Sequence, residues 1–141
     1  WGSKRTGPDL ARVGGKYSNE WHVAHFKDPR AVVPESIMPT YGFLARRDLA
    51  IKDIAAHLKA LRAVGVPYTD DMVKNAAADL AAQADPEADT KGLTDRYPKA
   101  ALGDFDGDPK RLTEMDAIIA YMQILGRMVD FKTVKPEQLR Q

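Results

Sequence analysis

Residues 48–64, DLAIKDIAAHLKALRAV, decide the fold class. Ile51, Ile54, Ala55, Leu58 and Leu61 fall at i, i+3, i+4, i+7 and i+10, one apolar stripe of a helix. Gly65 follows, where a left-handed residue ends such a helix. A second stripe runs through 113–126, TEMDAIIAYMQILG, with Met115, Ile118, Ile119, Met122 and Leu125 on one face. Thr113 and Asp116 have the spacing of a capping box, with Asp a shorter stand-in for Glu, and Gly126 ends or loosens the helix. No stretch of the chain alternates with period two for long enough to make a strand. The expected class is all-α with long ordered loops.

Towards the N-terminus, residues 2–17, GSKRTGPDLARVGGKY, carry four glycines and one proline and read as an irregular loop. Ser18 offers an N-cap for a short helix over 19–28, NEWHVAHFKD, stopped by Pro29. Residues 30–41, RAVVPESIMPTY, place Pro34 and Pro39 around Met38, which predicts an ordered, extended loop. On the other side of 48–64, Thr69 or Asp70 caps a helix to about Gln83, with Val73, Ala76, Ala77 and Leu80 facing inward. Its alanines bury little area, so the contact is modest and the hairpin peripheral. Residues 84–111 are rich in Asp, Gly and Pro and read as a long connection with one short helical turn near 94–97. The expectation is a single domain over 1–141 with an inserted segment at 65–111.

A chain of 141 residues suits one domain with a real core. It opens on Trp1 and shows no apolar signal segment, which predicts a piece of a longer polypeptide. The longest apolar stretch, 117–129, is broken by Tyr121, Gln123, Gly126 and Arg127, short of the roughly 20 residues that cross a bilayer. With no cysteine, these residues form no disulfide, zinc-thiolate site, iron–sulfur ligation or covalent haem attachment; the compartment stays open. A net charge of +1 argues against nucleic-acid binding through bulk positive charge. The charge is uneven: 1–64 hold 11 Lys/Arg against 6 Asp/Glu, and 65–141 hold 10 against 14. A basic front half suits an acidic partner or anionic ligand groups, or is simply a solvated surface.

Gly/Pro loops laid between short helices need something to pack against, and a large flat cofactor would serve. Met38 offers a thioether, a soft neutral ligand suited to haem iron; otherwise it fills a gap in the core. Met115 and Met122 lie on the helical stripe and read as core. His22 and His25, at i and i+3, have a chelating spacing but need one or two further ligands, with Asp28 the only close candidate. They read as surface or pocket-edge residues, and His57 as solvated. Asp104, Asp106 and Asp108 around Gly107 could hold calcium, yet the bidentate Glu expected about six residues past the glycine is lacking, so a tight Asp-Gly turn is the expectation. No hydrolase triad or phosphate-loop spacing is present.

The order of these segments resembles the part of a class I cytochrome c that follows its Cys-x-x-Cys-His motif. More narrowly, WGSKRTGPDLARVGGKYSNEWHVAHFKDPRAVVPESIMPTY, then LRAVGVPYTDD and LTEMDAIIAYMQILG, resemble the monohaem cytochrome c subunit (subunit II) of cbb(3)-type cytochrome c oxidases. The resemblance implies an electron carrier anchored by an N-terminal helix at the periplasmic face of the bacterial inner membrane. Electrons would pass from the dihaem cytochrome c subunit or a soluble donor towards the haem-copper catalytic subunit. The domain would carry electrons within an oxidoreductase complex and hold no catalytic site itself. The family's haem c is attached through an upstream Cys-x-x-Cys-His that these residues lack, which implies a chain without cofactor and redox-inactive alone. The same resemblance makes Met38 the axial ligand and sets Pro8 beside the other axial residue, a histidine, with a neighbouring carbonyl fixing its ring. Arg5, Lys4, Tyr17, Trp21 and Arg30 become candidates for haem-propionate contacts or pocket walls. Without a bound haem, the expectation is collapse of the Met38 loop, self-association with a second copy, or a substitute ligand. Two other readings stand beside this one: a non-covalent b-type haem binder ligated by Met38 with His22 or His25, and a redox-inactive helical docking module.

Overall fold

The computed structural model describes residues 5–128 and 132, which form six α-helices joined by loops and two 3-10 turns. The first helix, α1 (Asn19–Lys27), starts where Ser18 Oγ accepts from the Trp21 amide at 3.2 Å. Asp28 closes it and opens the next, because its amide donates to the Ala24 carbonyl while its carboxylate accepts from the Arg30 amide. Pro29 then occupies the first position of α2 (Pro29–Val32), where a missing N–H goes unnoticed. Pro29 therefore stops one helix as expected but starts a single helical turn in a stretch expected to be loop throughout. Beyond Val33 the backbone is irregular up to the 3-10 turn Gly42–Arg46.

The helix expected over 48–64 is shorter. A 3-10 turn, Ile51–Asp53, leads into α3 (Ile54–Ala63), and Asp48 instead makes an isolated antiparallel bridge with Thr113. Leu49 donates to the Leu112 carbonyl at 2.9 Å and Glu114 to the Arg47 carbonyl at 3.0 Å. Residues 47–49 thus commit their backbone bonds to a distant segment before a helix can begin. At the other end Gly65, at φ +99°, and Val66 return bonds to Arg62 and Leu61, the two bonds of a Schellman motif.

Thr69 caps α4 (Asp70–Ala84), which packs on α3 through Leu58, Val73 and Ala76, with Ile54, Ala55 and Tyr68 around them. Ala77, expected inside, is exposed, and Asp79 is buried instead. The helical turn expected near 94–97 is α5 (Lys91–Arg96), and it begins three residues earlier. Its Arg96 draws Asp79 inward: the guanidinium grips both carboxylate oxygens, with Nε 2.7 Å from Oδ2, and also reaches Asp71.

The last described helix, α6 (Glu114–Ile124), opens on the capping box. Thr113 Oγ1 accepts from the Met115 and Asp116 amides, and Asp116 Oδ2 accepts from the Thr113 amide at 2.8 Å. Met115 and Ile119 are fully buried and join Phe26 and Phe105 in the main core, with Val23, Met38, Tyr41, Leu44, Ile118 and Met122 packed around them. Each fully buried side chain of this size contributes roughly 1.5–3 kcal/mol relative to exposure. The molecule is all-α. Among the described residues no helix is long and apolar enough to cross a membrane.

Candidate functional site

The loop after α2 is held in place at both ends. Arg30 Nε donates to the Ser36 carbonyl at 3.2 Å, the Met38 amide donates to Ser36 Oγ at 3.2 Å, and the Tyr41 amide donates to the Phe26 carbonyl at 2.7 Å. Ile37 points out, 76% exposed, while Met38 is half-buried against the main core.

Helix α1 presents an aromatic wall beside this loop. Tyr17 stacks on Trp21 at 4.0 Å between ring centroids, and Trp21 stacks on His25 at 4.6 Å. His22 meets Tyr17 and Trp21 edge-on and lies 6.4 Å from the Phe26 ring, which also meets His25 at 6.5 Å and Tyr41 at 6.3 Å. His22 is only 3% exposed, which removes the surface position from the two expected for it. Its i+4 neighbour is Phe26, a core residue, and that spacing was the signal in the sequence. His22 Nε2 and His25 Nδ1 are both buried without a hydrogen-bond partner. Burial pushes both imidazoles below their ordinary range, and for His22 the neighbouring His25 adds repulsion. A buried polar atom without a partner costs about 1–3 kcal/mol, so two within four residues of one helix call for an explanation.

The loop before α1 is strapped to the end of α6. Gln123 Nε2 donates to the Tyr17 carbonyl at 3.0 Å and to Asn19 Oδ1 at 2.8 Å, while its Oε1 accepts from the Gly15 amide at 3.0 Å. Tyr17 and Trp21 are thereby fixed and half-buried. The other residues named for the site are less enclosed. Pro8 is exposed, Arg5 is exposed and paired with Asp9 at 3.4 Å, and Arg30 is exposed while tying the loop through Ser36. Lys4 lies outside the described residues. His57 is exposed.

Residues 104–108 form the expected Asp-Gly turn, with Gly107 at φ +88°, and the carboxylates of Asp104 and Asp106 come together with that of Asp116. Each carboxylate has work within the fold: Asp104 accepts from the Gly107 amide, Asp116 from the Asp106 amide, and Asp106 Oδ2 lies 2.8 Å from Thr113 Oγ1. Burial pushes the Asp116 carboxyl above its ordinary range, opposed by the hydrogen bonds from Thr113. A cavity of about 510 Å³ opens elsewhere, between α3, α4, α5 and the end of α6, and is lined by Leu58, Tyr68, Leu80, Leu93, Tyr97 and Met128 among others. Met38, His22 and His25 do not line it.

Met38 thus packs on the main core, aromatic rings line α1 beside its loop, and two imidazole nitrogens there are buried without partners. Residues 1–129 match the family model described as cytochrome c oxidase, mono-heme subunit/FixO. The chain belongs to the FixO family. Among curated proteins, none matches it. FixO is a mono-haem subunit of cytochrome c oxidase, so membership places the chain in electron transport, in a complex with other oxidase subunits, and with haem as the cofactor. These FixO residues contain no cysteine and so form no thioether bond to a porphyrin themselves. What they do contain suits a haem in kind: a soft sulfur ligand, apolar and aromatic walls, and nitrogens that still need a polar partner.

Proposed function

We propose that this chain supplies the methionine side of a haem c site and that its task in the intact subunit is one-electron relay. The single observation that supports the reading is Met38, turned inward between two prolines on a loop pinned to α1 and α2. A bound haem would supply reversible one-electron chemistry. Met38 would hold its iron through a neutral sulfur, which favours the reduced state. Phe26 and Tyr41 exclude water from that side, and a low local dielectric further disfavours the oxidised, more positive iron. The Arg30–Ser36 bond limits movement of the loop, so little reorganisation accompanies a change of charge. Covalent attachment would come from a Cys-x-x-Cys-His outside these 141 residues.

In this reading the domain is class I cytochrome c-like, with α4 and α5 carried on an insertion at 65–111. It sits at the periplasmic face of the inner membrane, takes electrons from a dihaem cytochrome c subunit or a soluble donor, and passes them to the haem-copper subunit where oxygen is reduced. The +5 charge of residues 1–64 gives its front half an attraction for acidic partners.

The test is Met38→His in the intact, haem-loaded subunit. The sulfur-to-iron charge-transfer band of the oxidised form is expected to vanish and the reduction potential to fall. An unchanged band and potential would show that Met38 is not the ligand.

A further inference from the structure

We propose that His22 and His25 form a paired seat for a carboxylate side arm of the haem, its propionate. The inference rests on the reading that haem binds beside Met38, and it names atoms not otherwise accounted for. His22 Nε2 and His25 Nδ1 are buried and unpartnered, one helical turn apart on the same side of α1. Rings enclose them: Tyr17 and Trp21 meet His22 edge-on, Phe26 lies beside it, and Trp21 covers the face of His25.

The chemistry of the pair selects the ligand. Both imidazoles are held towards the neutral form, each then having one N–H to donate and one nitrogen to accept. A single group that serves both must offer several acceptor sites in a small space. An ionised carboxylate offers about four, and its hydrogen bonds are roughly twice as strong as neutral ones. A backbone carbonyl has two lone pairs but no charge, so its bonds to the pair would be the weaker ones. A metal ion would need further ligands, and among the described residues no third His, Cys, Asp or Glu comes together with His22 and His25 as a metal-ligating group. The placement also suits a haem edge. His22 adjoins Phe26, Phe26 meets Tyr41 edge-on, and Tyr41 closes the loop that carries Met38, so ligand sulfur and imidazole pair border one aromatic wall.

A propionate without its donors keeps more negative charge near the iron and favours the oxidised state. In the intact haem-loaded subunit, His22→Phe is expected to lower the reduced-to-oxidised ratio at fixed potential by about tenfold, a drop of roughly 59 mV. It should also shift the propionate bending modes in resonance Raman spectra, while the sulfur-to-iron band persists. His25→Phe should do the same to a smaller extent. Persistence of that band with unmoved propionate modes and potential in both variants would overturn the proposal and leave the Met38 reading standing. Absence of the band from the unmutated subunit would overturn the Met38 reading itself. Should His22→Phe fail to fold, nitrogen-15 spectra of the unmutated reduced subunit decide: a slowly exchanging His22 N–H with the downfield proton of a carboxylate hydrogen bond is expected, and a freely exchanging one refutes the seat. A stoichiometric divalent metal, removed by chelator with recovery of the His22 and His25 signals to free positions, also refutes it.

Discussion

The Gly14 amide donates to the Leu125 carbonyl at 3.0 Å, so the glycine-rich loop before α1 lies directly on the last turn of α6. A Cβ on Gly14 would come within 2.6 Å of the Gln123 and Leu125 carbonyls. Gly126, at φ +78°, faces the same contact from the other side, where a Cβ would run into the Ala11 carbonyl. The contact is backbone on backbone, and only residues without a side chain permit it.

Gly126→Ala is therefore expected to lower stability by more than the ~1–3 kcal/mol of left-handed strain alone, because the clash adds to it. Urea unfolding would measure the loss. An effect below about 0.5 kcal/mol would mean that the loop does not rest on α6.

Arg96→Ala leaves the Asp79 carboxylate buried without its counter-ion. The charge then has to be desolvated alone or neutralised, and breaking such a pair costs more than replacing it entirely. Arg96→Leu with Asp79→Leu is thus expected to melt higher than Arg96→Ala. The reverse order in a thermal scan would show that the pair is held by solvent.

Thr113 joins α6 and the aspartate turn through its hydroxyl and amide, and it faces Asp48 in a bridge whose bonds are made by its neighbours Leu112 and Glu114. Removing a capping hydroxyl costs about 0.5–2 kcal/mol, and here it also takes a donor from Asp106. Thr113→Ala should fall at the upper end of that range and Thr113→Ser should recover most of it. Equal stabilities of the two variants would remove the hydroxyl from the account.

Acid stability follows from the two buried imidazoles. Their native values lie below the ordinary 6.5, so the unfolded chain binds protons that the native chain refuses. Their contribution is complete above that value and is lost as pH falls through the native values, with a slope of at most ~1.4 kcal/mol per pH unit for His22. Asp116 runs the other way. Its carboxyl is raised above 3.8, so its contribution is full below that value and is lost as pH rises through the native one. Asp116 is common to both chains, so the variant carrying His22→Gln and His25→Gln should lose less stability than the unmutated chain as pH falls below 6.5. Parallel curves from urea titrations at several pH values would contradict this.

Much of the secondary structure was legible because its causes are local. Ser18, Thr69 and Thr113 cap α1, α4 and α6 as their side chains dictate, Gly65 and Gly126 follow the ends of α3 and α6, and the stripe at Met115 and Ile119 faces the core. Met38 between two prolines marked the loop of interest for the same reason. A family resemblance carried by whole blocks of sequence supplied the cofactor, which no single spacing would have named.

What residues far apart do to one another was settled only in three dimensions. Asp48 left its helix because segment 112–114 took its neighbours' backbone bonds, Asp79 turned inward because Arg96 arrived from another helix, and His22 was buried because Phe26 beside it packs into a core completed by the distant Phe105, Met115 and Ile119. Helix caps and stripes depend on neighbours within a few positions, so one-dimensional order determines them. Burial, ion pairing and backbone contact depend on which surfaces meet, and the chain reveals those meetings only when folded.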